Sequence, residues 1–154
     1  MIDYQRLFHT GIRVPDLDAA MEEMGETLGV TWAKPRSTEG QAVWTPEDGQ
    51  QKVPLRYVYS SEGPQHIELL EGPAGSIWDG REDPGVHHVG VWADDVQAET
   101  ERCVANGWRV AAANVSPEEG YGSYTYVVPP SGPIIELVNG ARRLAFETWW
   151  AGGD

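Results

Sequence analysis

The chain has 154 residues, 40% hydrophobic and 23% charged, with a formal net charge of −13. That size suits one folded unit or two small halves sharing a core, and the acidic balance argues against charge-driven binding of nucleic acid or an anionic membrane surface. One cysteine, Cys103, leaves no intramolecular disulfide to form, no apolar run approaches the roughly 20 residues of a membrane helix, and the opening Met1-Ile2-Asp3-Tyr4-Gln5-Arg6 lacks a signal-peptide pattern, so a cytoplasmic soluble protein is expected.

Residues 7 to 14 read as a strand, with His9, Gly11 and Arg13 on one face and Thr10, Ile12 and Val14 on the other. Pro15 ends it, and Asp16 is placed to cap a helix in which Leu17, Ala20, Met21, Met24 and Leu28 follow a 3.6-residue period up to Gly29. Strand-like pieces follow near 41–45, 53–59 and 65–70, separated by Pro, Gly, Asp and Ser clusters. A Gly- and Pro-rich linker over 73–86 leads to a strand at 87–93, a helix from about 95 to 105 stopped by Gly107, and strands near 108–113, 122–128 and 133–138. The tail, 141–154, reads as a short helix whose Leu144, Phe146, Trp149 and Trp150 would dock on the core, cap a pocket or join a dimer contact.

The second half repeats the first. Phe8-His9-Thr10-Gly11-Ile12-Arg13-Val14-Pro15-Asp16-Leu17 aligns without gaps on His87-His88-Val89-Gly90-Val91-Trp92-Ala93-Asp94-Asp95-Val96, and His66-Ile67-Glu68-Leu69-Leu70-Glu71-Gly72 aligns on Ile134-Ile135-Glu136-Leu137-Val138-Asn139-Gly140. Internal repetition dictates architecture before any local reading. The expected fold is therefore α+β: two βαβββ modules in tandem, 1–72 and 87–140, forming a curved mixed sheet around a central trough.

Strand parity then selects side chains, because successive residues face opposite sides of a sheet. Ile12, Ile67, Leu69, Val91, Ile135 and Leu137 face the helices. His9, Glu68, His88 and Glu136 point into the trough. Two imidazoles and two carboxylates in matching places suit one divalent ion, Zn, Co, Ni, Mn, Fe or Mg, and the lack of a thiolate argues against a structural zinc knot. A lone inward histidine is more often structural than a ligand, but a buried unpaired glutamate is costly, and the duplication makes coincidence hard to sustain. By the same parity His87 points to the helix side, while His66 is a candidate proton carrier. Arg13 shares the inward parity of His9 and would pair either with a substrate carboxylate or phosphate or with an acidic neighbour. Trp92 occupies the matching place in the second half, and Tyr57, Tyr59, Tyr124 and Tyr126 alternate so as to line the trough on one parity.

These segments resemble the vicinal oxygen chelate superfamily, which includes glyoxalase I, methylmalonyl-CoA epimerase, fosfomycin-resistance enzymes, extradiol dioxygenases and bleomycin-binding proteins. The resemblance covers about residues 7–140 and rests on His9–Leu17, His66–Gly72, Gly85–Val91 with Asp95, and Ile135–Val138. The pattern of four ligands is similar to glyoxalase I and the epimerase. A His, His, Glu pattern would want histidine where this chain has Glu68 or Ile134. His87-His88 and the Glu68–Gly72 run look closer to the epimerase branch, from which Trp44, Trp92, Trp108 and Trp149-Trp150 depart. The resemblance implies a metal that chelates a carbonyl and an adjacent oxygen, making a neighbouring proton acidic. Glu136 or Glu68 would carry that proton as base and then acid. An isomerase, epimerase or lyase acting on a small organic acid or thioester is the leading expectation, with a homodimer as the assembly. The alternatives are a non-catalytic protein that sequesters an aromatic small molecule and an Fe(II)-dependent dioxygenase. Whether the modules pair within one chain or across a dimer is left open at this level.

Overall fold

A computed structural model describes residues 1–154. Its elements run β1 (Leu7–Arg13), α1 (Leu17–Leu28), β2 (Arg36–Thr45), β3 (Gly49–Tyr59), β4 (His66–Glu71), then β5 (Gly85–Ala93), α2 (Val96–Ala105), β6 (Arg109–Ala113), β7 (Tyr124–Val128), β8 (Ile134–Asn139) and α3 (Arg143–Trp150). Each half is thus strand, helix and three strands. Asp16 caps the first helix as expected, and Asp95 plays the same part for the second. Asp16 accepts from the Ala19 amide and Asp95 from the Ala98 amide, each at 2.9 Å, which satisfies an otherwise orphaned first-turn donor. Gly29 closes α1 with φ 70°, in the left-handed region that only glycine adopts freely. No helix is long and apolar enough to cross a membrane.

The strands form a closed barrel in the order β1-β4-β3-β2-β6-β7-β8-β5. The halves meet within one chain along β1 and β5, which run antiparallel. On the opposite side closure rests on one pair, Trp44 against Ala113 in β2 and β6. Within each half the first and last strands are parallel neighbours, β1 with β4 and β5 with β8. That pairing sets the histidine-bearing strand beside the glutamate-bearing one.

Burial follows the parity argument in most places. Ile12, Ile67 and Leu69 pack outward with Leu17, Met21 and Met24 of α1, and Ile135 and Leu137 do the same with Val96 and Cys103 of α2. Inside the barrel, Val43, Val53, Leu55, Leu70, Ala112, Tyr124 and Tyr126 surround Trp78, which comes from the segment between the halves. The other end is filled by Phe8, Tyr59, Trp92 and Val138 with Trp149 and Trp150 of α3. The tail helix docks on the core, with Trp149 donating to the Lys34 carbonyl at 2.9 Å. Two tryptophan-bearing stoppers therefore bracket the interior.

Parity fails at two positions, and the reason is the same. The β1–β5 ladder slips between Leu7 and His9 and again between Gly11 and Ile12, where Gly11 pairs with His88 but Ile12 with Val86. Each slip leaves one extra residue, Phe8 in β1 and His87 in β5, and a bulge re-aims the side chain it carries. His87 consequently turns away from the helix side, contrary to the alternation. Its ring lies 5.2 Å from that of Tyr126 inside the barrel, and its Nδ1 is 3.0 Å from Nδ1 of His88. Phe8 likewise stacks on Trp92 at 3.7 Å rather than facing α1.

Candidate metal centre

His9 of β1, Glu68 of β4, His88 of β5 and Glu136 of β8 converge, each offering one donor atom with all four atoms within 4.8 Å of one another. The imidazole Nε2 atoms are 3.0 Å apart. Glu136 Oε2 is 3.1 Å from His9 Nε2 and 3.3 Å from His88 Nε2, and Glu68 Oε2 is 3.3 and 3.2 Å from the same two atoms. Both histidines are 0% exposed, and Glu68 and Glu136 only 6% and 8%, so this is a charged cluster inside a protein core.

Two glycines make the convergence sterically feasible. His9 pairs with Gly90 across the β1–β5 seam and His88 pairs with Gly11. Each imidazole lies over the glycine of the opposite strand, so that a Cβ built on Gly90 would come within 1.9 Å of the His9 ring and one on Gly11 within 2.1 Å of the His88 ring. The rings thus reach the midline between the halves.

The electrostatics of the cluster are set by burial on one side and the opposed charges of imidazoles and carboxylates on the other. Burial alone would lower the His88 pKa, but the Glu136 and Glu68 carboxylates outweigh it and raise it to about 9. His9 shifts upward through the same contest between burial and the two carboxylates. Burial would push both glutamates up, yet the imidazoles hold Glu136 and Glu68 below the ordinary carboxylate range. Glu68 Oε2 is nevertheless buried without a hydrogen-bond partner of acceptable geometry. A cation about 2.1 Å from each donor would set neighbouring ligands about 3.0 Å apart in an octahedral array and about 3.4 Å in a tetrahedral one. Five of the six separations, 3.0 to 3.3 Å, fall between these limits, and the sixth, between the two carboxylates, lies within 4.8 Å. Donor types, spacing and the orphaned acceptor all fit a divalent ion.

The two carboxylates also line a cavity of ≈ 70 Å³. Tyr57, Tyr59, Tyr124 and Tyr126 are among its walls, as are Trp78, Gln41, Arg142 and Phe146. Burial, followed by the nearby carboxylates, raises the Tyr59 and Tyr126 phenols well above their ordinary pKa, so both stay neutral. Trp78 donates to the Tyr126 hydroxyl at 3.1 Å.

Three of the residues singled out in the sequence lie off this lining. Arg13 is held by the Ile77 carbonyl at 3.2 Å and by Asp83 at 2.5 Å, so the acidic neighbour takes its charge. Trp92 sits in the aromatic stack with Phe8. His66 stacks on Trp150 at 3.8 Å, with its Nδ1 2.7 Å from the Ser60 carbonyl oxygen. Conversely, Trp78 and Arg142 line the cavity without having been singled out. Trp78 left a usable sign as a large aromatic inside a Gly- and Pro-rich linker.

Fold and site together define a tandem-module barrel with an internal cluster of metal-ligand type opening on a small-molecule cavity. Residues 8–126 match the model of the Glyoxalase/Bleomycin resistance protein/Dioxygenase superfamily, and the chain belongs to that family. It is 27% identical over 137 residues to an ethylmalonyl-CoA/methylmalonyl-CoA epimerase of Cereibacter sphaeroides, covering 86% of this chain and 96% of that one. An uncharacterized Bacillus subtilis protein, YwbC, is 26% identical over 134 residues, with the same 86% and 96% coverage. Among solved structures, a variant Streptomyces coelicolor methylmalonyl-CoA epimerase in complex with 2-nitronate-propionyl-CoA superposes with a TM-score of 0.62 at 27% identity, covering 88% of this chain and 94% of that one.

Proposed function

We propose that this chain is a metal-dependent enzyme of epimerase type, moving a proton on the carbon next to a carbonyl in a small organic acid or acyl thioester. The observation that carries this reading is the meeting of His9, Glu68, His88 and Glu136, at matching places of two modules, beside a cavity. Its kinship with epimerases supports the reaction type.

His9, Glu68, His88 and Glu136 would hold the cation, which when bound stabilises negative charge on chelated substrate oxygens. The remaining work falls to the chain. Glu68 and Glu136 face both the cluster and the cavity, and their depressed pKa values keep them ionised. Either is placed to take a proton as base and return it as acid. Tyr59 and Tyr126, neutral and buried, wall the reacting atoms from water. The cavity admits a small acyl group, and the aromatic stoppers at both ends set that limit.

The test is elemental analysis of protein purified without added metal, coupled to exchange in deuterated water. The substrates would be methylmalonyl-CoA, ethylmalonyl-CoA and a panel of small hydroxy, oxo and dicarboxylic acids. Near-stoichiometric divalent metal, with deuterium entering beside a carbonyl and both signals lost in His88→Ala, is the expected result. Failure to take up any divalent metal under any loading condition would overturn the reading in favour of a sequestering protein.

A further inference from the structure

The cavity lining holds two carboxylates and one cation, Arg142. Two other arginines near the interior are taken up by carboxylates, Arg13 by Asp83 and Arg56 by Asp18 and Glu71, and Arg36, which lies over the Trp149 face at 3.9 Å, is not on the lining. Arg142 has no carboxylate within ion-pair distance, although the chain carries 24 acidic residues. Its guanidinium is instead held 5.3 Å over the Phe146 ring, a cation–π contact that fixes direction while leaving the N–H donors free. The residue as a whole is exposed while its side chain borders the cavity, which places it at the mouth.

From this arrangement we infer that Arg142 is a specificity-determining residue that receives an anionic group of the substrate, a carboxylate outside the pair of oxygens addressed to the metal centre. The inference rests on the proposed function and narrows it to acids bearing a second carboxylate. A guanidinium offers a planar fork matched to a carboxylate. Without it, the charged side chains of the lining are Glu68 and Glu136 alone, in a chain of net charge −13. Phe146 supports the fork from the tail helix, so recognition is built from a segment beyond both modules. Charge-assisted hydrogen bonds of this kind translate to roughly 10–100-fold in affinity.

The experiment compares (S)-malate with (S)-lactate, which share a 2-hydroxy acid head and differ in the second carboxylate, by calorimetry on metal-loaded protein. Malate should bind at least about tenfold more tightly, the preference should collapse in Arg142→Gln with metal content unchanged, and Arg142→Lys should restore part of it. A preference near unity in the native chain, or one that survives Arg142→Gln, overturns the assignment while leaving the metal centre standing. Should the protein take no metal, the proposed function falls by itself. The Arg142 Nε–H resonance of the metal-free protein then decides the assignment: a shift with malate and not with lactate upholds it, and no shift removes it.

Discussion

Phe8 and His87 occupy the same place in the two repeats, each just before a histidine of the cluster, and each is the extra residue of a bulge. The backbone device is shared, yet its use differs. In the first half the bulge delivers an aromatic ring, which stacks on Trp92 and meets His9 edge-on at 4.4 Å. In the second it delivers an imidazole, whose Nδ1 engages the Nδ1 of His88. As a result His88 has a partner on its far nitrogen, while His9 Nδ1 is buried without one. One half spends the position on packing and the other on orienting a donor. A duplicated scaffold can therefore keep its four-residue cluster symmetric while the residues behind it diverge.

That contrast can be broken from either side. The largest effect should come from Phe8→Ala, since Phe8 is 4% exposed at the centre of the aromatic stopper. Losing a buried phenylalanine costs about 3–5 kcal/mol, and thermal or denaturant unfolding will register it. Next come Gly11→Ala and Gly90→Ala, whose new methyl groups collide with the His88 and His9 rings. Each should cost about 1–3 kcal/mol through forced displacement. Near-equal losses in the two variants would confirm that the halves share their steric logic even where Phe8 and His87 differ. Replacing His87 with Phe makes the second half resemble the first and removes the partner of His88 Nδ1. A zinc titration should then show affinity weaker by about 10–100-fold, with stability nearly unchanged.

The mildest perturbation is pH. In metal-free protein the His88 pKa stands at about 9 against an ordinary 6.5. The stability this proton contributes is complete below pH 6.5 and disappears as pH rises through 9, with a slope of at most about 1.4 kcal/mol per pH unit. Unfolding temperatures in chelator should fall over that window. Metal-loaded protein should show a flatter profile, because the cation takes the place of the protons. A flat profile in chelator would mean that the carboxylates do not hold a proton on His88.

Much of this was legible in the sequence. The gapless repeat specified two modules, and period-two alternation in β4 and β8 placed Glu68 and Glu136 opposite Ile67, Leu69, Ile135 and Leu137, as the core clusters bear out. His9 and His88 were equally readable. Alternation presumes an unbroken ladder, however, and neither bulge leaves a composition signal. That is why His87 was expected on the helix side. Arg13 illustrates a different limit. Parity put it on the face of His9, but its partner Asp83 comes from the linker, whose path no local pattern encodes. Trp78 and Arg142 reach the cavity from segments outside the strands, where periodicity says nothing about direction.

The crossing of each imidazole over the other half's glycine makes the two repeats mutually dependent. A chain cut back to one module would present its histidine to open solvent, with no floor beneath the ring and no second acid facing it. Drift at Gly11 is felt by His88, and drift at Gly90 by His9. A substitution in either copy is therefore felt first in its sibling.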